Sequence, residues 1–466
     1  MMTSAAHRPG RPAGTARSTT SASHATPGSP SAGVVALVGM ALPVSLGISA
    51  TSLLLPTAAD DLGTSIGAAT WLLTIYGWGM AMGMPLLAAL AGRLGRRVAL
   101  AAGCTLLALG AGLVLAAPPL PAVVAGRAAL AAGAGATVVL AMGIAREMEP
   151  ERARQRRLGL ITAGIGMSGA TGPLIGSAVA EASSWRVALA LPALSLVAAP
   201  AIARHAGGAP APASERFDAT GAGLLTAVVT AVFLALQGPA GGLSAPALLA
   251  VAAIGLGAVV ALAFRVRARP RGFLPAPVIG NRPFVVSSAL VLSIATINFA
   301  LIYAAPQLLA AQTGWAPTRV GTVLVPAAVT GAALSWAMAG VHLRLGFRRT
   351  ALALTVTAAT AALLAGLAPA APVLLLGAAA GAFAAAAAQG VLVASATATL
   401  PHPLRTQAIG LFNLAFQFGS VVGPALLAML TPVVGLAPAL GAAALFPLAT
   451  MSVTRAAART GRNQTV

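Results

Sequence analysis

The sequence predicts an all-α polytopic membrane protein, and three observations predict it. Of 466 residues, 58% are hydrophobic and only 8% charged, against about 25% charged in a soluble globular protein. The apolar residues gather into about fourteen runs, each near the roughly 20 residues needed to cross a hydrocarbon core. The charges that remain lie between the runs and on alternate sides. Lipid offers the backbone no hydrogen-bond partner, so each run has to satisfy its own amides as a helix.

Residues 1–32, rich in Ser, Thr, Pro and Arg and free of acid, read as a disordered cytoplasmic tail. Spans follow at Gly33–Leu55, Ala68–Ala91, Val98–Ala116, Leu120–Ala145, Leu158–Ala180 and Val187–Ala203, a first set of six within 33–206. Thr220–Leu236 and Leu243–Phe264, within 207–271, make two linking spans. The second set of six, within 272–455, is Phe284–Tyr303, Val320–Val341, Ala351–Leu367, Pro372–Leu400, Ile409–Leu430 and Val434–Val453, and residues 456–466 form a second cytoplasmic tail. Gly and Ala dominate the interiors, which lets helix backbones approach closely.

Orientation comes from arginine, since all 28 basic residues are Arg and cytoplasmic loops retain positive charge. With the N-terminus inside, 25 of the 28 fall on the cytoplasmic side, all but Arg127, Arg186 and Arg319. An even number of spans with both termini cytoplasmic follows, in the cell membrane. The formal charge of +20 is thereby an orientation signal with weak attraction to anionic lipid. A basic stripe with interleaved aromatics is absent, which excludes nucleic acid as a partner. The single cysteine, Cys104, forms no intrachain disulfide, and neither a metal-ligand cluster nor a cofactor motif is present. No membrane-embedded nucleophile and base suggest an enzyme.

An internal repeat is visible. Arg93-Leu94-Gly95-Arg96-Arg97 between spans two and three is echoed by Arg344-Leu345-Gly346-Phe347-Arg348-Arg349 between spans ten and eleven. Gly172-Pro173-Leu174-Ile175-Gly176 in span five is echoed by Gly423-Pro424-Ala425-Leu426-Leu427 in span thirteen. Each echo lands on its counterpart when spans nine to fourteen are a second set of six. Parallel repeats of this kind place a path near the midplane between two halves.

Several stretches carry a resemblance. Gly166-Met167-Ser168-Gly169-Ala170-Thr171-Gly172-Pro173-Leu174-Ile175-Gly176 combines glycines along one helix face with a proline that bends the helix. Ser184-Trp185-Arg186, Phe217-Asp218-Ala219-Thr220-Gly221, Asn281-Arg282-Pro283-Phe284 and the stretch from Pro306-Gln307 to Gly321 and Pro326 stand at matching places before or within spans six, seven, nine and ten. In this order they resemble the fourteen-helix drug:proton antiporter branch of the major facilitator superfamily. The resemblance implies the major facilitator fold, two six-helix halves plus two linking helices, and an exporter of amphipathic organic compounds such as drugs or antibiotics, coupled to protons, functioning as a monomer.

The resemblance makes Gly166, Gly169, Gly172, Pro173 and Gly176 the antiporter motif, and Arg93, Gly95, Arg96 and Arg97 the cytoplasmic loop motif. Gly92 stands where the family has an Asp that latches the cytoplasmic side, and Ala88 where it has Gly. Arg127 matches a buried arginine of span four, about 7 residues or roughly 10 Å from the outer end. Unpaired, it costs on the order of 3 kcal/mol or more, so it needs a carbonyl or polar partner or water. Either a coupling role or structural capping of carbonyls fits it. Span one has Gly47 where the family has an Asp.

All 8 acids stand at span ends or in loops: Asp60, Asp61, Glu147, Glu149, Glu151, Glu181, Glu215 and Asp218. A proton site usually needs a carboxylate of shifted pKa inside the bundle. Glu181, Asp60 and Asp61 are left as coupling candidates with Arg127, or else as solvated helix-end charges. Trp71, Tyr76, Asn298, Gln307, Gln389, Asn413 and Gln417 are the polar and aromatic candidates for the substrate path, or for hydrogen-bonding glue between helices. With no central acid, neutral or anionic substrates are preferred over cations. The alternative is an uncoupled facilitator or a ligand-sensing, transporter-like protein that has lost proton coupling.

Overall fold

The computed structural model describes residues 30–147, 168–205, 218–239 and 242–463. The described secondary structure is helical. Numbered by span, α1 runs 35–61, α2 is Trp71–Leu94, α3 Arg96–Ala116, α4 Leu120–Glu147, α5 is described over 168–182, and α6 is Trp185–Arg204. The linking helices are α7, Ala219–Gln237, and α8, Ala245–Ala268. Then come α9, Arg282–Thr313, α10 over 317–345, α11 over 347–367, α12, Ala371–Thr397, α13, His402–Val434, and α14, Leu436–Thr454. Among the described residues twelve helices are long and apolar enough to cross a membrane, and the bent α1 makes a thirteenth. The chain is a multi-span membrane protein. Most of the expected first tail and the loops holding Glu149, Glu151 and Glu215 lie outside the described residues, as does Gly166.

Two elements differ from the sequence's expectation. The last helix continues to Asn463, through most of the expected second tail. The first span, expected to end at Leu55, instead bends by 58° between Ser49 and Thr51 and continues to Asp61. Hydroxyls that bond back to their own helix cause such bends. Three cluster here: Ser49 Oγ donates to Ser45 O at 3.0 Å, Thr51 Oγ1 to Gly47 O at 2.7 Å and Ser52 Oγ to Ser49 O at 3.3 Å.

Helices α1 to α6 pack together, and so do α9 to α14, with α4 set against α2 and α3, and α12 against α9, α10 and α11. Small residues make these approaches possible: a Cβ built on Gly79 would lie 2.6 Å from Ala128 O, and one on Gly133 2.5 Å from Gly103 O. The repeated turn is the same structure twice. Gly95 has φ 89° and ψ 159°, Gly346 has φ 72° and ψ 169°, a left-handed conformation that a side chain would strain. Gly346 therefore ends α10 where Gly95 follows α2.

The end of the bundle where α1 begins and α14 ends is called the near end below; the other is the far end. At the near end the linking helices are tied down by Asp218, the N-cap of α7. Its Oδ1 accepts from Arg265 Nη2 of α8 at 2.6 Å, Arg265 Nε at 2.9 Å and Gly221 N at 3.0 Å, and its Oδ2 from Phe273 N at 3.2 Å. Burial pushes the Asp218 carboxyl up, but the bonds from Arg265, Gly221 and Phe273 and the Arg265 charge outweigh it and hold it below the ordinary value. A carboxylate held low stabilises the fold above its unfolded pKa and loses that contribution as pH falls through the folded value. Asp218→Asn is expected to cost about 1–2 kcal/mol at neutral pH. Thermal unfolding in detergent should show a gap from the parent that persists to about pH 4 and closes only below it.

Candidate functional site

Arg127 projects from α4 two turns in from its Leu120 end and is wholly buried. Among the described residues its guanidinium meets no carboxylate. Nε donates to Leu72 O of α2 at 3.1 Å, Nη1 to Leu189 O of α6 at 3.0 Å, and Nη2 to Gly47 O at 2.5 Å and Thr51 Oγ1 at 2.9 Å, both of α1. The Tyr76 ring of α2 stacks on the charge at 4.4 Å, and the Tyr76 hydroxyl donates to Val44 O of α1 at 2.8 Å. Four of the five guanidinium donors are thus used, and one side chain joins four helices. Gly47 and Leu189 stand beside 3-10 turns, Leu42–Ser45 and Leu191–Leu194, where the regular α-helical ladder is interrupted.

The missing acid at Gly47 has a steric cause. A Cβ on Gly47 would overlap the Tyr76 ring, so the volume that a span-one carboxylate would need is filled by the aromatic cover of Arg127. The carbonyl-capping role is the one these contacts express.

In the glycine-proline stretch of α5, Gly172 and Gly176 face α1 at its bend, where a Cβ would overlap Ser49 Oγ and Ala50 Cβ respectively. Gly169 is looser, 3.6 Å from Ser45 Cβ. The other side of the motif faces the second half. A Cβ on Gly321 of α10 would lie 2.7 Å from Leu174 N and 2.9 Å from the Pro173 carbonyl carbon. A turn beyond, Glu181 Oε1 accepts from Thr318 N at 3.3 Å, covering a free amide at the start of α10 where a negative charge is favoured. The repeat-related seam joins α2 to α13, where a Cβ on Gly77 would overlap Ser420 Oγ. The pseudo-symmetry extends to Gly423 of α13, whose Cβ would overlap Thr296 O of α9 just as Gly172 meets α1.

Other candidates are placed as follows. Asp61 accepts from Trp185 Nε1 at 3.1 Å and pairs with Arg186 at 3.6 Å, anchoring α6 to α1 at the far end, and Asp60 is exposed. Arg186 also caps the end of α3 through Val114 O at 3.2 Å and Ala117 O at 2.5 Å. Gln389 donates to Asn413 Oδ1 at 3.4 Å, joining α12 to α13. Buried Gln417 of α13 reaches Met80 Sδ of α2 at 3.5 Å, across the seam. Asn298 is half-buried beside Gly381 of α12, and Gln307 bonds its own helix at Tyr303 O, 2.8 Å. Two candidates are engaged away from this group: Tyr76 covers Arg127, and Trp71 stands edge-on to Phe233 of linking helix α7 at 5.1 Å. Of the loop motif, Gly95 forms the turn and Arg96 opens α3; Arg97 is exposed, and Arg93 stands in the last turn of α2. Sequence reasoning missed Thr51 and Gly321 as contact residues, and Thr230, Phe233 and Gln237 on α7.

Residues 37–285 match the Major Facilitator Superfamily family. Relatives include the MFS-type transporter gkaD of Penicillium citrinum, 30% identical over 33% of this chain and 26% of that protein. Another is the efflux pump FUS6 of Gibberella moniliformis, 29% identical over 62% of this chain and 53% of that one. The chain thus spans between about a quarter and about half the length of these two relatives. Among solved structures, a POT family transporter in complex with a thioalcohol-conjugated peptide superposes with a TM-score of 0.66 over 94% of this chain and 97% of that one, at 15% identity. At that identity the likeness shows the fold.

The packing at Gly47 and the motif glycines gives a graded expectation. Gly47→Asp should lower thermal stability by about 1–3 kcal/mol through overpacking, and Gly47→Asp with Tyr76→Ala should recover part of it. Gly172→Ala should unfold earlier than the parent, whereas Gly169→Ala should melt with it. Fluorescence-monitored melts of the purified variants read all four.

Proposed function

The chain belongs to the major facilitator superfamily, and from that premise we propose that it exports amphipathic organic compounds by alternating access, driven by proton antiport. In this reading it is a fourteen-span member of the drug:proton antiporter branch, a monomer in the cell membrane with both termini cytoplasmic. The observation that carries the reading is the seam between α5 and α10. One face of the Gly172-Pro173-Leu174-Ile175-Gly176 stretch grips α1 at its bend, and the other rests on Gly321 of the opposite half. A helix built of glycine and proline, shared between two packed bodies, can hand its contacts from one to the other as the halves rock. Efflux pump FUS6, named for export, supports the direction of transport.

The observed contacts hold the far end shut, through α5 with α10, α2 with α13 and α1 with α9. Export then means that a compound enters from the near, cytoplasmic end and leaves when these seams part. Glu181 is the coupling acid of this scheme. It caps the first turn of α10 from the other half, where the helix N-terminus favours its negative charge, so the seam is fastened through this carboxylate. Arg127 holds α1, α2, α4 and α6 as one body. Gln389, Asn413, Gln417 and Asn298 orient the substrate within apolar walls, which favour neutral or anionic amphipaths.

The alternative, an uncoupled facilitator, draws on the placement of the acids: each carboxylate among the described residues belongs to a helix end. Uptake into inverted membrane vesicles with an acidified interior separates the two. Proton-coupled export predicts accumulation of neutral and anionic hydrophobic compounds that a protonophore abolishes. Glu181→Gln should keep equilibration but lose the gradient-driven part. Gly321→Val should cut the rate by about tenfold or more, by wedging the seam with a side chain that must displace backbone. Equilibration that ignores the protonophore in the parent would favour the facilitator.

A further inference from the structure

The two linking helices are wired to both halves, and at opposite ends. At the far end α7 is bound to α2 of the first half. Gln237, wholly buried, donates through Nε2 to Thr70 Oγ1, Trp78 Nε1 donates to Thr230 Oγ1 at 3.0 Å, and Phe233 lies between Trp71 and Trp78, with ring centroids at 5.1 and 6.5 Å. At the near end the polar bonds lead to the second half. Asp218 holds Phe273 N in the segment that leads into α9, and Gln407 of α13 donates to Gly272 O at 3.1 Å and Phe273 O at 2.9 Å. Between the two polar fastenings the contacts of α7 are apolar and reach both halves, with Val229 in one cluster with Ala81 and Met82 of α2 and Leu414 and Phe418 of α13, and Phe233 in another with Val421 of α13. The near-end fit is tight: a Cβ on Gly221 would overlap the Asp218 carboxylate, and one on Gly272 would lie 2.5 Å from its Oδ2.

A helix of 19 residues is a stiff rod of about 28 Å. When two halves rock about the midplane, their far ends separate while their near ends close. A rod fastened to one half at the far end and to the other at the near end cannot follow both, so one fastening has to strain or release. Both are made here, in the state whose far end is shut.

We infer that α7 is a strap between the halves, with Gln237 and Asp218 as its two anchors, positioning residues that weight the balance toward the far-end-closed state. The inference rests on the alternating-access reading above and adds a role for the linking pair within it. Arg265 belongs to the near anchor because it holds Asp218 in place. The apolar stretch against α13 is the sliding surface.

The test is a distance measured between spin labels at Leu115→Cys and Leu367→Cys, exposed positions near the far ends of α3 and α11, in a Cys104→Ser background reconstituted in lipid. The far anchor is cut by Gln237→Ala; the near one is cut in two independent ways, by Asp218→Asn and by Gln407→Ala. Arg267→Gln, on an exposed arginine of α8, is the control. Loss of either anchor is expected to enlarge the long-distance population by about fivefold, as one lost hydrogen bond would, with Arg267→Gln unchanged. A distribution that stays put with either anchor cut, or that moves equally in the control, overturns the strap. The distance is read without substrate or gradient and so answers for the strap alone, whereas absent transport in the unlabelled parent counts against the export reading.

Discussion

A permanent charge inside a bilayer-spanning bundle has to be solvated by something, and here it is solvated by backbone. Arg127 takes three carbonyls and one hydroxyl from α1, α2 and α6 and lies under the Tyr76 ring. That requirement explains features that otherwise look unrelated. The two carbonyls from α1 and α6 stand beside departures from regular helix. Gly47 has no side chain because Tyr76 occupies the space, and Thr51 serves both the guanidinium and the bend. Its described partners are carbonyls and a hydroxyl rather than a carboxylate, and through them the charge ties α1, α2, α4 and α6 together.

Where the halves meet, the chemistry changes from hydrogen bonds to close backbone approach. Gly77 against α13 and Gly321 against α5 are related by the internal repeat, as are Gly172 against α1 and Gly423 against α9. Lipid tails are as apolar as leucine, so helices in a membrane gain association from packing rather than from escaping water. A seam built of glycine on backbone is tight yet carries little directional bonding. In the proposed cycle this seam is what parts, while the Arg127 cluster within the first half stays intact.

Much of this was legible in the chain. The apolar runs and the paired turns marked the spans and the repeat, because hydrophobic length and a left-handed glycine leave marks in residue type; Gly95 and Gly346 adopt nearly the same angles. The depth of Arg127 was readable too, but its partners were not, since a carbonyl belongs to every residue and marks none. The bend of α1 had a signal that went unread, the hydroxyl cluster Ser49-Ala50-Thr51-Ser52. Trp71 and Tyr76 looked like path residues because an aromatic on a span has no label for the neighbour it will face. Phe233 and Gln237 of α7 escaped notice for the same reason, being ordinary members of a span whose partners on α2 lie more than 150 residues earlier.

The carbonyl cage around Arg127 has one more consequence, and it concerns voltage. A guanidinium stays protonated at any physiological pH, and its cage fixes it to the helices of one half, so the charge moves only when that half moves. A full unit charge carried across the whole membrane potential is worth about 2.3 kcal/mol per 100 mV. Rocking that displaces Arg127 through a tenth of the field would thus tilt the equilibrium between conformations by about 0.2 kcal/mol per 100 mV. In the proposed cycle the membrane potential therefore acts on the balance of conformations even when the cargo is neutral, through a residue that need never touch it.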